Sequence, residues 1–273
     1  MDWQQRLDWI LLGLALGVAA FTTAFVTAPS PARSSTQLHP SETGIAADPV
    51  TTPSSIRIGY FPNITHAQAL IGNIRGDFQE ALGPDVQVTT ATFNAGPSLM
   101  EALYAGHVDI AYIGPSPTIN GFVRSNGEAL RVISGAANNG ILVIGNRKRG
   151  ITRLDQLPGR RIATPQLGNT QDISAKSFLT ELLGARLRDR GGDTDVFPMA
   201  NPDIEILFEK DQIDAAWVPE PWGSRIISKV LANLVAEEKD LWPGGNFPLT
   251  SVIARREFLD RHPELVERFL QAH

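Results

Sequence analysis

The sequence predicts an α/β protein in which mainly parallel strands alternate with helices, arranged as two similar lobes. From Ile56 onward, short apolar strand patterns alternate with amphipathic helical patterns, which is typical of parallel strands joined by crossover helices. The same alternation recurs about 105 residues later, which indicates two copies of one β-α-β-α-β unit. In open α/β sheets ligands sit beyond the carboxyl ends of the strands, so the cleft between the lobes is the predicted binding region.

The elements of the first copy follow from residue periodicity. Strands are predicted at IRIGY, VQVTTATF and DIAYIG, and helices over residues 67–76 and 97–105. Ile58 in the first strand corresponds to Ile162 in the second copy, and HVDIAYIGPSP corresponds to QIDAAWVPEP. The helix start at 94–97 likewise corresponds to residues 200–202. Three landmarks in one order make a chance match improbable.

Composition excludes several kinds of site and partner. The 273 residues are 42% hydrophobic and 19% charged, and the net charge of -5 is spread without long runs of one sign, so we expect no nucleic-acid partner. The sequence has no cysteine, which removes disulfides, thiolate metal ligands, a cysteine nucleophile and the lipid-bearing cysteine of a lipoprotein. The five histidines are scattered, and we expect neither a metal nor a cofactor.

The N-terminal region predicts a location outside the cytoplasm. The uncharged stretch Trp9–Ala28 would span about 30 Å of hydrocarbon as a helix, so residues 1–28 are a signal peptide or a membrane anchor. A weak basic region before this stretch favours an anchor, whereas the small residues at 30–32 leave cleavage open. Residues 29–55 are rich in Pro, Ser and Thr and are predicted to be a disordered linker.

Several segments resemble the nitrate, sulfonate and taurine group of ABC-transporter substrate-binding proteins. The segments are YFPNITHAQAL, FNAGPSLMEALYAGHVDIAYIGPSP, IATPQLGNTQD and IDAAWVPEPW. The resemblance runs from about residue 56 to the end of the chain, and several motifs in one order are more specific than any single motif. It implies a type II periplasmic-binding-protein fold, with two α/β lobes joined by a two-strand hinge.

The resemblance also implies the chain path and the partners. Lobe one would take residues 56–143 plus 252–273 and lobe two residues 144–251, with hinge strands near 141–144 and 251–255. The chain stops at His273 within a predicted helix where family members usually continue, so we expect lobe one to be incompletely covered. The protein would be a monomer that binds a small molecule and delivers it to a membrane permease with an ATPase subunit.

In the first copy, the turns after the strands supply the predicted ligand contacts. The loop after the first strand offers Tyr60, Phe61, Asn63 and His66, which combine aromatic surface with an amide and an imidazole. For His66, capping a helix or simple exposure is an equally good interpretation. 

Two further turns of this copy open helices. Asn94 and Gly96 lie before one helix, where Gly96 permits close approach of a ligand and the next proline suits the first helical position. Gly114 and Ser116 close the following strand, and Ser116 either donates to a ligand or caps the next helix.

In the second copy, the segment ATPQLGNTQD predicts an anion-binding helix N-terminus. Thr164 and Gln166 lie in the turn, and Asn169, Thr170 or Asp172 can cap the helix that follows. The positive end of a helix dipole attracts an oxyanion without an ionised side chain. An ordinary capped helix is the competing interpretation.

The segment WVPEPW places a carboxylate between two prolines and two tryptophans at the end of a strand. Glu220 is predicted to receive a cationic group of the ligand, and Trp217 to cover its apolar part. Alternatively, Glu220 pairs with Arg225 or with an arginine of the opposite lobe, and the tryptophans belong to the core.

The predicted function is capture of a small oxyanion-bearing solute such as a sulfonate, taurine or nitrate, without catalysis. No catalytic or phosphate-binding motif is recognised in the sequence. Two alternatives remain open, an extracellular ligand sensor and an enzyme similar to thiamine-pyrimidine synthases. The five cleft turns contain no Arg or Lys, which favours binding by neutral donors and helix dipoles, while Glu220 leaves a zwitterion or cation possible.

Overall fold

The computed structural model describes residues 55–230 and 232–273. The predicted leader or anchor over residues 1–28, and the predicted linker over 29–55 apart from Ser55, lie outside the described residues. In the part of the chain that is described, no helix has the length and apolar character needed to cross a membrane.

Ten strands form two five-stranded sheets within the described residues, which we call the first and the second sheet. Their bounds are β1 Ser55–Tyr60, β2 Gln87–Thr92, β3 Ile110–Ile113, β4 Leu130–Asn138, β5 Ile141–Gly145, β6 Arg161–Thr164, β7 Asp195–Pro198, β8 Ala215–Pro219, β9 Asn233–Glu237 and β10 Pro248–Arg255.

Helices connect these strands and cover the sheets. Their bounds are α1 Ala67–Arg75, α2 Asp77–Leu82, α3 Gly96–Tyr104, α4 Pro115–Arg124, α5 Thr170–Ser177, α6 Asn201–Glu209, α7 Trp222–Val230, α8 Arg256–Arg261 and α9 Pro263–Ala272. Single helical turns cover Ile64–His66, Leu154–Gln156, Phe178–Leu182, Arg188–Arg190, Glu238–Leu241 and Pro243–Gly245.

The two sheets have the same arrangement, as the internal repeat predicts. The first sheet has the order β2-β1-β3-β10-β4 and the second β7-β6-β8-β5-β9. In each sheet three strands pair in parallel, while the fourth and fifth add antiparallel pairs. The pairing registers also match, because Ile58 lies opposite Ile110 in the first sheet and Ile162 opposite Ala215 in the second. The α/β prediction is therefore confirmed as two mixed sheets.

The repeated aspartate of the third strand segment has a structural role in both copies. The carboxylate of Asp109 accepts a hydrogen bond from the backbone N–H of Arg57 at 3.0 Å, and Asp214 accepts the same bond from Arg161 at 2.8 Å. Each carboxylate also pairs with an arginine side chain. In each sheet, a buried carboxylate just before one strand therefore binds the backbone of the neighbouring parallel strand near its start.

Helices cover both faces of each sheet, which explains why the central strands are apolar at every position. In β8, Ala215 and Trp217 face one core cluster, whereas Ala216 and Val218 face another. In the first sheet Tyr112 faces the side covered by α2 and α9, where Phe78 stacks on Phe269 at 5.1 Å.

The chain changes sheet at two neighbouring points. Asn139 and Gly140 separate β4 from β5 and both have positive φ, at 61° and 86°. Asn139 holds the returning chain, because its N–H donates to the carbonyl of Phe247 and its Oδ1 accepts from the N–H of Phe247, both at 3.1 Å. The lobe boundaries at residues 143 and 252 stay a prediction. These two residues lie within β5 and β10, which pair in the second and the first sheet, respectively.

Candidate functional site

A cavity of about 20 Å³ lies between the two sheets, at the carboxyl ends of their parallel strands. From the loops after β1, β2 and β3 it is lined by Phe61, Asn63, Thr65, His66, Asn94, Ala95, Gly96, Gly114 and Pro117. From the second sheet and from β10 it is lined by Pro165, Asn169, Thr170, Gln171, Asn201, Pro219, Leu249 and Thr250. Its volume accommodates little more than one water molecule.

The lining residues come largely in pairs that occupy equivalent positions of the repeat. Eight of the fourteen predicted ligand contacts lie here: Phe61, Asn63, His66, Asn94, Gly96, Gly114, Asn169 and Thr170. The repeat also relates residues that sequence reasoning did not select. Thr65 is equivalent to Asn169, Pro165 to Phe61, Asn201 to Gly96 and Pro219 to Gly114. Applying the repeat to each selected residue would have found these additional lining residues.

Besides α1, whose N-cap His66 lines the cavity, four helices of the described region begin here. Gly96 and Asn201 are the first residues of α3 and α6, Gly114 is the N-cap of α4, and Thr170 is the first residue of α5. The first turn of a helix has unpaired N–H groups, and its dipole contributes about half a positive charge there. No Asp, Glu, Lys or Arg is among the residues that line the cavity. The helix N-termini therefore contribute a positive potential to the cavity through backbone groups.

Local hydrogen bonds position the N-terminus of α5. The Oδ1 of Asn169 accepts from the N–H of Asp172 at 2.8 Å, and its Nδ2 donates to the Oε1 of Gln171 at 2.8 Å. Asp172 in turn accepts from the N–H of Gly168 and from the hydroxyl of Thr164. These bonds confirm Asn169 as the N-cap of α5, and they occupy both the oxygen and the nitrogen of its side-chain amide.

Three buried polar side chains of the cavity wall have no hydrogen-bond partner in the described structure. They are the hydroxyls of Thr170 and Thr250 and the Oδ1 of Asn201, on residues that are each more than nine-tenths buried. Buried polar atoms without a partner are uncommon in proteins and need an explanation. Their position on one cavity points to a polar ligand.

His66 is neutral in this environment. Burial lowers the pKa of His66 from 6.5 to about 3. Its Nδ1 accepts a hydrogen bond from the N–H of Phe61 at 3.3 Å, so the proton of the neutral ring is on Nε2. His66 therefore contributes a neutral donor to the wall of the cavity.

Trp217 does not reach the cavity, which corrects the prediction that it covers a ligand. Its side chain is fully buried, stacks on Phe178 with ring centroids 6.1 Å apart and donates to the carboxylate of Glu238. Burial raises the pKa of this Glu238 carboxyl. Because side chains project from the faces of a strand, Trp217 points into the core cluster on one face of β8 and not beyond the end of the strand.

Glu220 is also absent from the cavity wall, so the predicted contact with a cationic ligand group is corrected. Its carboxylate accepts from the N–H of Ser224 at 3.0 Å and from the hydroxyl of the same residue. The predicted alternative, an ion pair with Arg225, does not form either, because Arg225 pairs with Glu205 at 2.6 Å. Glu220 caps the first turn of α7.

Four other predicted contacts lie outside the cavity wall. Tyr60 and Thr164 occupy equivalent repeat positions at the ends of β1 and β6, and both side chains are buried among neighbouring residues. Ser116 and Gln166 do not line the cavity, although the Oε1 of Gln166 is buried without a partner. Each of these residues is adjacent in sequence to a residue that lines the cavity. The direction of the side chain, and not its position in the sequence, therefore decides whether it faces the cavity.

The comparisons with known proteins agree with this architecture. The chain is 27% identical to the taurine-binding periplasmic protein of Escherichia coli over 183 residues, covering 66% of this chain and 53% of that protein. The chain thus spans about half the length of the curated relatives it matches.

Solved structures show the same fold. The alkanesulfonate-binding protein SsuA from Xanthomonas axonopodis, bound to MOPS, superposes with a TM-score of 0.65 at 23% identity, covering 81% of this chain and 74% of that one. The nitrate-binding protein NrtA from Synechocystis superposes with a TM-score of 0.65 at 18% identity, covering 80% and 60%. The NMT1-like family model matches residues 51–273. The chain therefore has the periplasmic-binding-protein fold and belongs to the NMT1-like family.

Proposed function

We propose that this protein is the extracytoplasmic substrate-binding subunit of an ABC importer and captures a small oxyanion-bearing solute in the cavity between the two sheets. The convergence of four helix N-termini on a cavity without charged side chains carries this proposal. Such a site attracts one negative charge and supplies neutral donors for its oxygens.

The polar groups of the wall support an oxyanion ligand. Thr170 contributes a hydroxyl without a partner next to the first-turn N–H groups of α5, and Thr250 contributes a second hydroxyl from the returning strand. The Nε2–H of His66 adds a third side-chain donor. Hydrogen bonds from several such donors offset the cost of removing an oxyanion from water.

Each sheet with its helices acts as one lobe in this proposal. The cavity has room for little more than one water molecule, so a larger anion enters only after the lobes separate. A bound anion contacts both lobes only in the closed state, so it stabilises that state relative to the open one. A permease then distinguishes the closed state from the open state. The names of the relatives, which include taurine-, alkanesulfonate- and nitrate-binding proteins, support the same ligand classes.

The proposal is tested by titrating the purified full chain with nitrate, bicarbonate, ethanesulfonate and taurine, and following both heat of binding and thermal unfolding. We expect saturable binding of at least one anion, with a rise in the unfolding temperature that follows mass action. Thr170→Ala removes a donor and should weaken that binding about tenfold.

A second threonine, which lies outside the cavity, provides the control for this titration. Thr180→Ala is a matched control, because its hydroxyl bonds only to backbone carbonyls of its own helical segment, outside the cavity. Absence of binding by every oxyanion would contradict the ligand class. If an anion binds, loss of its uptake by cells that lack the gene tests the transport role, and unchanged uptake would contradict it.

A further inference from the structure

Among the residues that the structure describes, Trp222 forms one of two side-chain hydrogen bonds that cross between the two sheets near the cavity. Its indole Nε1–H donates to the Oδ1 of Asn63 at 3.1 Å, although the two residues are 159 positions apart. The other is from Nδ2 of Asn94 to the carbonyl of Pro165 at 3.0 Å. Trp222 itself does not line the cavity, whereas Asn63 does.

The indole determines how the Asn63 amide is oriented. An indole N–H only donates, so the amide must present its oxygen to Trp222 and its Nδ2 remains to donate elsewhere. Asn63 is 4% exposed and lies in the cavity wall, where rotation of its amide would replace a donor by an acceptor. For an anionic ligand that exchange reverses the sign of the interaction.

Trp222, the first residue of α7, is held in place by residues of α7 and α6, which pack on the second sheet. The guanidinium of Arg225 lies over the indole ring at 5.6 Å from its centroid. Arg225 is paired with Glu205, which is buried on α6, and α6 begins at the cavity residue Asn201. The indole is therefore connected through packed groups to the same helix that supplies a cavity N-terminus.

We infer that Trp222 is a positioning residue that acts through Asn63: it directs the Nδ2 of Asn63 at the bound anion and does so only when the two sheets are in this closed arrangement. The inference rests on the proposed anion-binding function. It links ligand selection to closure, because a donor of the first sheet is oriented by a side chain of the second.

The test is a double-mutant cycle on the full chain with nitrate and ethanesulfonate as probes. Asn63→Ala should weaken binding about tenfold or more, and Trp222→Phe about three- to tenfold, because the donor remains but is no longer oriented. The double variant should bind no more weakly than Asn63→Ala alone. Additive losses, or unchanged binding by Trp222→Phe, would overturn the inference.

A matched control distinguishes positioning of Asn63 from the general effect of removing an indole hydrogen bond. Trp242, which is 38% exposed, donates to the Oε1 of the buried Glu238 at 3.1 Å, so Trp242→Phe removes the same kind of bond away from the cavity. We expect Trp242→Phe to leave the anion affinity within about twofold of wild type. An equal loss in both tryptophan variants would indicate a general effect on stability and would contradict positioning.

Asn63→Asp keeps the acceptor for Trp222 but removes the donor. We expect this variant to retain the downfield indole N–H signal of Trp222 in proton–nitrogen spectra while anion binding is lost; loss of the signal, or retained binding, would contradict the assigned orientation. If wild type binds neither probe, the proposed function fails together with this inference. If wild type binds and the cycle is additive, only this inference fails.

Discussion

Gly114 has no space for a side chain where the two sheets meet. A Cβ at this position would lie 2.3 Å from the hydroxyl oxygen and 3.3 Å from the Cβ of Thr170, the first residue of α5, which packs on the second sheet. We expect Gly114→Ala to weaken anion binding about tenfold or more, because the clash arises only when the sheets close on each other. Unfolding by urea should change little, since the open form relieves the contact.

Gly135 provides a control for this substitution. Gly135 lies in β4 of the first sheet, and a Cβ there would meet no atom within 4 Å. Gly135→Ala should leave both anion affinity and stability close to wild type. Equal effects of the two substitutions on binding would contradict a steric block to closure.

His66 predicts a pH dependence of stability. Its pKa is lowered from 6.5 to about 3 by burial, so between these values the unfolded chain binds a proton that the folded chain does not. Above pH 6.5 His66 does not lower the free energy of unfolding. As the pH falls from 6.5 towards 3 the free energy of unfolding decreases, by about 2 kcal/mol between pH 7 and pH 5.

Urea unfolding of wild type and His66→Gln at pH 7 and pH 5 tests this contribution. The difference between the two pH values should be about 2 kcal/mol smaller in His66→Gln, because glutamine does not titrate. An identical pH dependence in both proteins would show that His66 is accessible to protons in the folded state.

At the scale of the element, the central strands are held in register by their repeated aspartates. Asp109 is 1% exposed and its carboxylate accepts from the backbone and guanidinium of Arg57 and from the guanidinium of Arg255. We expect Asp109→Ala to lower the free energy of unfolding by about 2–4 kcal/mol, because it leaves two arginines and a strand N–H without their common partner.

Asp155 is the matched control for that loss. It pairs with Arg153 at 2.9 Å, but both side chains are well exposed, and such pairs contribute little to stability. Denaturant unfolding should therefore show a large loss for Asp109→Ala and none for Asp155→Ala. Similar losses would mean that the ion pair at Asp109 is not coupled to strand pairing.

At the scale of the whole molecule, the proposed site selects for anions that carry no ammonium group. Glu220 caps α7, and the residues that line the cavity include no carboxylate to receive a cation. Taurine and ethanesulfonate share the sulfonate and differ by the ammonium group. We expect ethanesulfonate to bind at least about tenfold more tightly, because the ammonium group would be buried without a charged partner.

Competition between the two compounds in one calorimetric titration measures this difference directly. Bound ethanesulfonate should not be displaced by an equal concentration of taurine. Tighter binding of taurine would show that neutral acceptors such as Asn94 and Asn201 are sufficient for the ammonium group, and would contradict the charge argument.

Local sequence patterns are sufficient to predict the fold class, the repeat and most of the loops at the cavity. Alternating apolar segments located the strands, and the turn residues located the helix starts, because both depend on local periodicity and backbone preference. Parallel strands place their following helix starts at one edge of the sheet, so Gly96, Gly114, Asn169 and Thr170 could be assigned to one cavity without coordinates.

Local patterns do not predict which side chains face the cavity or which partners they contact, because both depend on packing between distant segments. Trp217 turns into the core and Phe61 into the cavity because side-chain direction follows from strand register and packing, which local pattern does not specify. Thr250 arrives on a strand that returns from the second sheet, and Trp222 reaches Asn63 across 159 residues. Such contacts depend on how the two sheets are placed against each other, and this placement is a property of the whole molecule.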